Sequence, residues 1–392
     1  MLGADGRGLY SSIVMIATLV MGVSQFGLPE SLIYYKRKKN YNILTYSGVS
    51  SILVALVSSI LAFIVCSAFL PENLLPYNNY VLVTAILLSI FTYFSNLSQV
   101  HDDLVVYNLC RAIVPTLNVC LLVILYVFLD DVNEEVALKS NIISYLICLV
   151  FLISYIIFKN EKPNVFEYAK IKFLCMFGIK YWGTTVLGMF IMNLDKIYLM
   201  NNGTMFDFGV YAVAYSTSRL ISIIPQTLST IIYSKFSGRS ESELDEFVRL
   251  IFSLLFIPFL SITAFAAIFI SPILPFIYGE DFEGAIVPFS ILVIECTISS
   301  FSWILAQRFN AAGKPGIVFM RQFVSIIPIL IIFIIDIEYE VVIFISLILL
   351  LSSIIRLVIT LIMYNKILRV ERPRIIPSYG DFEMLKNKMR TS

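Results

Sequence analysis

Long apolar runs follow one another along almost the whole chain, separated by short polar connections. Crossing a hydrocarbon core as a helix takes about 20 predominantly apolar residues. Because every lipid-facing backbone group must be satisfied inside a helix, these runs predict an all-α integral membrane protein with about eleven spanning helices. The runs lie at 9–28, 43–70, 80–100, 112–129, 141–158, 174–200, 209–233, 250–270, 285–306, 317–335 and 341–364.

Lysine and arginine are concentrated in alternate connections, which predicts the orientation of the chain. Positive residues favour the cytoplasmic side of a membrane. One set of connections contains only Arg7 and Lys139, whereas the other holds nearly all the remaining loop cations, including 36–39 and seven residues of the tail. The tail and the 36–39 connection are therefore predicted to be cytoplasmic.

The two halves of the chain share a pattern. The triplet at 8–10, Gly-Leu-Tyr, opens a helix that ends in LIYYK, and the triplet at 209–211, Gly-Val-Tyr, opens one that ends in IIYSK. A further helix precedes the motif only in the second half. We therefore expect parallel six-plus-six repeats about an axis along the membrane normal, with the first helix upstream of Met1. The expected divisions are a bundle at 1–158, a cytoplasmic linker at 159–173, a bundle at 174–364 and a cytoplasmic tail at 365–392.

Charged residues within the predicted helices lie mainly in the second half. Arg219 and Glu295 each lie ten residues into their helices, about 15 Å from the end and so close to the midplane. Such residues either pair with one another or face water. The functional interpretation is a mainly cationic, water-filled cavity, although several of the cations could instead extend to lipid headgroups. The cationic candidates are Lys180, Lys196, Arg219, Arg321 and Arg356, and the carboxylates are Asp195 and Glu295.

Cationic side chains suit phosphate groups, and arginine can bind them through two parallel hydrogen bonds. The carboxylates Asp195 and Glu295 could instead carry a coupling proton or sodium ion, and the spacing does not decide between these two ions. No other cofactor and no metal is expected.

Composition narrows the function classes. The chain of 392 residues is 59% hydrophobic and 14% charged, with a net charge of +1, which argues against nucleic-acid binding. The six cysteines are scattered, and the one histidine, His101, lies at a predicted helix end. Because the chain contains neither a phosphate-binding GxxxxGK[ST] loop nor a GxSxG nucleophile motif, we predict that it is not an enzyme.

Several segments resemble one family in order and spacing. The segments are LGADGRGLYSSI at 2–13 with FGLPESLIYY at 26–35, NLDKIYL at 193–199, GVYAVAYSTSRLISIIPQTLSTIIYSKFS at 209–237, and PILPFIYGEDFEGAIVPFSILVI at 272–294. Together they resemble the polysaccharide flippases of the O-antigen type, within the multidrug/oligosaccharidyl-lipid/polysaccharide (MOP) exporter superfamily, which includes the MATE transporters. The resemblance covers essentially the whole chain, and the departure is the absent first helix.

The resemblance implies two six-helix bundles around a V-shaped cavity. It implies a substrate, an undecaprenyl-diphosphate-linked oligosaccharide, that moves from the cytoplasmic to the outer leaflet of the bacterial plasma (inner) membrane during surface polysaccharide assembly. Membrane lipids, a polysaccharide polymerase and chain-length proteins would be partners. Two alternatives remain: a cation-coupled drug antiporter of the same fold, which would favour carboxylates over basic residues, and a membrane polysaccharide polymerase, which would be expected to have a long outer loop.

Overall fold

The computed structural model describes residues 2–39, 43–99, 105–129, 133–159, 168–236, 241–311, 315–331, 333, 340–368, 370 and 373–377. These residues form helices and connections, without a strand. The α-helices are α1 (Gly3–Ser24), α2 (Leu28–Lys39), α3 (Ile43–Ala68), α4 (Asn78–Ser98), α5 (Val105–Leu129), α6 (Glu134–Lys159), α7 (Tyr168–Ile191), α8 (Leu194–Asn202), α9 (Met205–Ser218), α10 (Ile223–Phe236), α11 (Glu241–Phe265), α12 (Leu274–Tyr278), α13 (Ile286–Ala311), α14 (Pro315–Ser325), α15 (Ile327–Ile331) and α16 (Val341–Met363).

The predicted all-α membrane class is confirmed. Eight helical segments in the described part of the chain are long and apolar enough to span a membrane. Large apolar side chains on their outer faces are exposed, among them Ile52, Leu56 and Phe63 on α3 and Phe276 on α12. In lipid such side chains need no protein partner, so these faces fit contact with acyl chains.

Three runs that the pattern predicted as single helices are interrupted. The run at 174–200 breaks between α7 and α8, where the Asn193 side chain donates to the Met189 carbonyl oxygen at 2.7 Å and competes with the helix for that acceptor. The run at 209–233 contains a 3₁₀ turn at Arg219–Ser222, and the run at 317–335 divides into α14 and α15. Pro225 and Pro328 follow these last two breaks, and neither has an N–H to continue the helical ladder.

The chain divides by internal contacts into two compact units, Met1–Phe208 and Gly209–Ser392. In the first unit, α4 packs against α1, α3 and α6. Its buried side chains include Leu88, Phe91 and Tyr93 of α4 together with Leu152 of α6. Helix α7 contacts α1 and α2 within this unit, although the repeat pattern had assigned it to the second bundle. The predicted bundle boundaries stay a prediction, and most of the predicted linker and tail lies outside the described residues.

The second unit is built around α13, which packs against α16, α11 and α10. Aromatic side chains hold α11 to α13: the rings of Phe252, Phe256 and Phe259 surround Phe301, with centroids 5.4–6.1 Å from it. Edge-to-face arrangements of this kind add stability beyond simple burial. Because α13 is enclosed on several sides, a charged residue in its middle is held inside the unit.

Candidate functional site: an arginine cluster in the second unit

Arg219 and Glu295 pair with one another, which was one of the two alternatives open from sequence. Arg219 Nη1 lies 2.7 Å from Glu295 Oε2, and the two side chains are 28% and 6% exposed. The guanidinium lies over the ring of Tyr215, 4.2 Å from its centroid, a favourable cation–π arrangement. The contact is a short ion pair, but its geometry is not that of a hydrogen bond to Glu295 Oε2. Arg219 Nε has no acceptor among the described residues. Arg219 therefore keeps hydrogen-bonding capacity for a ligand.

The break in the helix places Arg219 at this position. Arg219 is the first residue of the 3₁₀ turn at Arg219–Ser222, which links α9 to α10 and packs against α13. Glu295 lies in the middle of α13. The turn tightens the backbone where the chain passes the carboxylate, so the ion pair depends on a local departure from regular helix.

Arg356 of α16 lies close to this pair. It interacts electrostatically with both Glu295 and Arg219. Its own hydrogen bonds are long: Nε donates to Ser325 Oγ at 3.3 Å and Nη1 donates to Ser299 Oγ at 3.2 Å. The side chain is half-buried. These weak, neutral contacts do not offset its charge, so Arg356 remains available for an anion.

Arg321 of α14 lies beside Arg356 but is fully enclosed, with 0% exposure. Its Nη1 donates to the carbonyl oxygen and the hydroxyl of Ser302 at 2.9 and 2.8 Å, and to Thr360 Oγ1 at 2.9 Å. The second unit thus brings together four of the seven candidate residues predicted from sequence. Arg219 and Arg356 interact with Glu295, and Arg321 lies next to Arg356. An environment with this excess of positive charge favours an anionic ligand.

The other three candidates belong to the first unit. Asp195 is 2% exposed, near the start of α8. Lys196 donates to Asn193 Oδ1 at 3.1 Å and is half-buried. Lys180 lies in α7, but its side chain is outside the described part of the structure. The structure therefore does not test whether these three join the arginine cluster.

Two polar groupings were missed at the sequence level. Arg308 follows the predicted run at 285–306, where the pattern predicts a connection. It is 1% exposed in the last turn of α13, and its Nε and Nη2 donate to the two oxygens of Asp245 on α11. In the first unit, Tyr10 Oη accepts from Asn118 Nδ2 at 3.2 Å and from Asn141 Nδ2 at 2.9 Å. Each grouping joins residues far apart in sequence, so no spacing could have revealed it.

Among the described residues, no three His, Cys, Asp or Glu side chains are grouped where they could hold a metal ion. The cysteines are free thiols, and His101 lies outside the described residues.

Residues 1–288 match the family model described as "Polysaccharide biosynthesis protein". No curated protein matches the chain by sequence.

Solved structures share the fold at low identity. An inward-facing multidrug resistance MATE family transporter of the MOP superfamily is 13% identical, with a TM-score of 0.70 over 94% of this chain and 92% of the other. A MOP superfamily transporter from Pyrococcus furiosus, whose binding pocket is described as having reverse polarity, is 10% identical, with a TM-score of 0.62 over 92% and 87%. The MATE transporter ClbM in complex with Rb⁺ is 14% identical, with a TM-score of 0.51 over 93% and 85%.

These matches confirm the resemblance inferred from sequence, because the family model covers most of the chain and the fold extends across nearly all of it. The chain belongs to the polysaccharide biosynthesis protein family, and it is a multi-pass membrane protein with the fold of the MATE transporters.

Proposed function

We propose that this transporter moves undecaprenyl-diphosphate-linked oligosaccharides from the cytoplasmic to the outer leaflet of the bacterial plasma membrane by alternating access. The observation that carries the proposal is the arginine cluster, in which Arg219, Arg356 and Arg321 outnumber the single carboxylate of Glu295. A diphosphate is the anionic part of such a substrate, and arginine binds it with directed, charge-assisted hydrogen bonds. Membership of a polysaccharide biosynthesis family supports a sugar-bearing lipid over other anions.

Arg219 and Arg356 are the residues we assign to the diphosphate. Both side chains are partly exposed, and neither has its donors fully used by the protein. Binding of the diphosphate would compete with Glu295 for Arg219. Lys180, Lys196 and Arg321 stay predicted substrate contacts, and Asp195 and Glu295 stay predicted sites for a coupling proton or sodium ion.

The polarity of the cluster argues against a drug or organic-cation antiporter. Such a transporter needs carboxylates to bind its cargo, whereas the cluster contains the three arginines Arg219, Arg356 and Arg321 and the one glutamate Glu295. The Pyrococcus furiosus neighbour is described as having a pocket of reverse polarity that suggests a different function, which illustrates that this fold accommodates pockets of different charge. We propose that in this protein, too, the charge of the binding site determines the class of molecule that is transported. The neighbouring transporters support a non-enzymatic role over a polymerase, which would act as a partner together with the chain-length proteins.

Export of surface polysaccharide tests the proposal. In a strain that lacks its own flippase, we expect Arg219→Ala and Arg356→Ala each to reduce complementation by at least about 10-fold, because a charge-assisted bond contributes roughly 1.5–3 kcal/mol. The measurement is surface polysaccharide per unit of membrane-inserted protein. Arg111→Ala is the matched control, since Arg111 is an exposed arginine of α5 whose Nη1 donates to Tyr107 Oη, one helical turn away, at 2.7 Å.

Full export by both cluster variants, at normal protein levels, would show that the diphosphate is bound elsewhere. Loss of export by Arg219→Ala with full rescue by Arg219→Lys would show that charge alone is sufficient at this position and that paired hydrogen bonds are not required.

A further inference from the structure

One edge of the Arg321 guanidinium is buried and has no acceptor. Nη1 is fully used by Ser302 and Thr360, but Nε and Nη2 have no hydrogen-bond partner among the described residues. Nearly all buried polar groups in proteins are hydrogen-bonded, so two orphaned donors on one side chain require an explanation. Both lie on the same edge of the planar guanidinium group, where the Nε–H bond and one Nη2–H bond run nearly parallel in the plane.

In the same unit, the corresponding edge of Arg308 binds a carboxylate. Its Nε and Nη2 donate to the two carboxylate oxygens of Asp245, with an Nη2–Oδ2 distance of 3.2 Å. Both arginines are almost completely buried, at 1% and 0% exposure. At Arg321 the corresponding edge faces no Asp or Glu within the described residues. The two sites therefore share the donor geometry but differ in whether the protein supplies the anion.

The surroundings of Arg321 do not neutralise its positive charge. Among the described residues, the charged group that acts on Arg321 is Arg356, which has the same sign. The ring of Trp303 lies 5.6 Å from the guanidinium carbon and gives some cation–π stabilisation, but a ring face does not accept the two in-plane N–H bonds. Arginine also does not relieve the problem by losing its proton. A buried charge without a counter-ion is strongly unfavourable.

We propose that a chloride-sized monovalent anion binds in the plane of the Arg321 guanidinium and accepts hydrogen bonds from Nε and Nη2. Because Arg321 has no exposed surface, a lipid-linked diphosphate does not reach its guanidinium, and the ligand that we propose is therefore a small ion. In this proposal the anion, and not the transported substrate, binds Arg321, which replaces the sequence-based prediction of a substrate contact at that residue. The partly exposed Arg356 and Arg219 remain for the transported substrate. The site stabilises the packing of α14 against α13 and α16, independently of what the transporter carries.

Thermal unfolding of the purified full-length chain in detergent tests this site. Exchanging sodium gluconate for sodium chloride at constant ionic strength should raise the Tm saturably, by about 3 °C once the site is filled. Arg321→Met removes both donors and should abolish the chloride dependence. Arg111→Met, an exposed arginine replaced in the same way, should retain it.

Bromide provides a direct readout that does not depend on a folded variant. In wild-type crystals grown in sodium bromide, an anomalous peak should lie within hydrogen-bonding distance of Arg321 Nε and Nη2. The proposal is overturned if no peak is found there, if Arg321→Met keeps the same chloride stabilisation, or if sodium phosphate stabilises the protein and chloride does not.

Discussion

At the residue scale, the arginines of the second unit differ in what balances their charge. Arg308 has a bidentate carboxylate partner, and Arg219 forms an ion pair with Glu295 at 2.7 Å. Within the described residues, Arg356 donates its hydrogen bonds to the hydroxyls of Ser325 and Ser299. Breaking a buried ion pair by removing one partner is strongly destabilising, because the remaining charge is left in a low-dielectric interior. These arginines should therefore respond differently to substitution. Arg308 should affect stability, Arg356 should affect transport, and Arg219 should affect both, because its removal leaves the buried Glu295 without its partner.

Asp245→Ala is expected to lower the free energy of unfolding by about 3 kcal/mol, because it leaves Arg308 buried without its counter-ion. The measurement is the loss of folded, monodisperse protein on heating in detergent. The double variant Asp245→Ala/Arg308→Met should recover much of the loss. Lys139→Met is the matched control: it breaks an exposed pair with Glu135, at 56% and 49% exposure, which contributes about 0–1 kcal/mol. Equal losses from Asp245→Ala and Lys139→Met would contradict the prediction.

At the scale of elements, the breaks between helices form specific packing contacts, as the apolar faces of the helices do. Between α1 and α2, Phe26 and Gly27 adopt positive φ angles of 48° and 62°. The Trp182 ring of α7 stacks on Phe26 with centroids 5.3 Å apart, and its Nε1 donates to the Val23 carbonyl oxygen at 2.7 Å, which satisfies an acceptor near the break. The backbone of α7 approaches this break closely at Gly178.

Gly178→Ala should destabilise the first unit by about 1–3 kcal/mol, since small-to-large changes in tight packing force the backbone apart. A Cβ at Gly178 would lie 2.5 Å from the Phe26 carbonyl oxygen and 2.8 Å from that of Gly27. Both are backbone atoms, so they cannot move aside as a side chain would. The measurement is Tm in detergent.

Gly183→Ala is the control within the same helix, because nothing lies within 4 Å of its added Cβ. It should leave Tm unchanged or raise it slightly, since alanine favours helix over glycine. If Gly178→Ala behaved in the same way as Gly183→Ala, the close approach of α7 to the break between α1 and α2 would not contribute to stability.

At the scale of the whole molecule, the family and the fold agree with the sequence pattern: a helical membrane protein of a polysaccharide biosynthesis family with a MATE-like fold. The orientation is a prediction that rests on the lysine and arginine distribution alone. The cationic tail and the 36–39 connection are predicted to face the cytoplasm. The plasma-membrane location is likewise a prediction.

Reporter fusions test this orientation. Fused after Ser392, green fluorescent protein should be fluorescent and alkaline phosphatase inactive, because the first folds in the cytoplasm and the second requires export. Truncated fusions after 131, in the predicted outer connection that follows α5, should show the reverse. The opposite result at both positions would invert the topology and would place the arginine-rich connections outside the cell.

Much of the fold was predictable because each spanning helix is specified locally. A run of about 20 apolar residues is sufficient to predict a helix in lipid, where backbone groups have no alternative partner. The interruptions were less visible. Pro225 and Pro328 were present in the sequence, but whether a proline produces a kink or a 3₁₀ turn depends on the packing of neighbouring helices. The break at Asn193 required a side chain to capture a backbone carbonyl.

The sequence alone determined that this chain is helical and membrane-embedded, that its buried charge is concentrated in the second half, and that it resembles polysaccharide flippases, since hydropathy and motif order are local properties. Only the tertiary structure decided that Arg219 pairs with Glu295, that Arg308 is neutralised by Asp245, and that one edge of Arg321 is left without an acceptor. The physical reason is that the strength of a charge inside a bundle depends on burial and on partners from other helices, which lie tens of residues away along the chain.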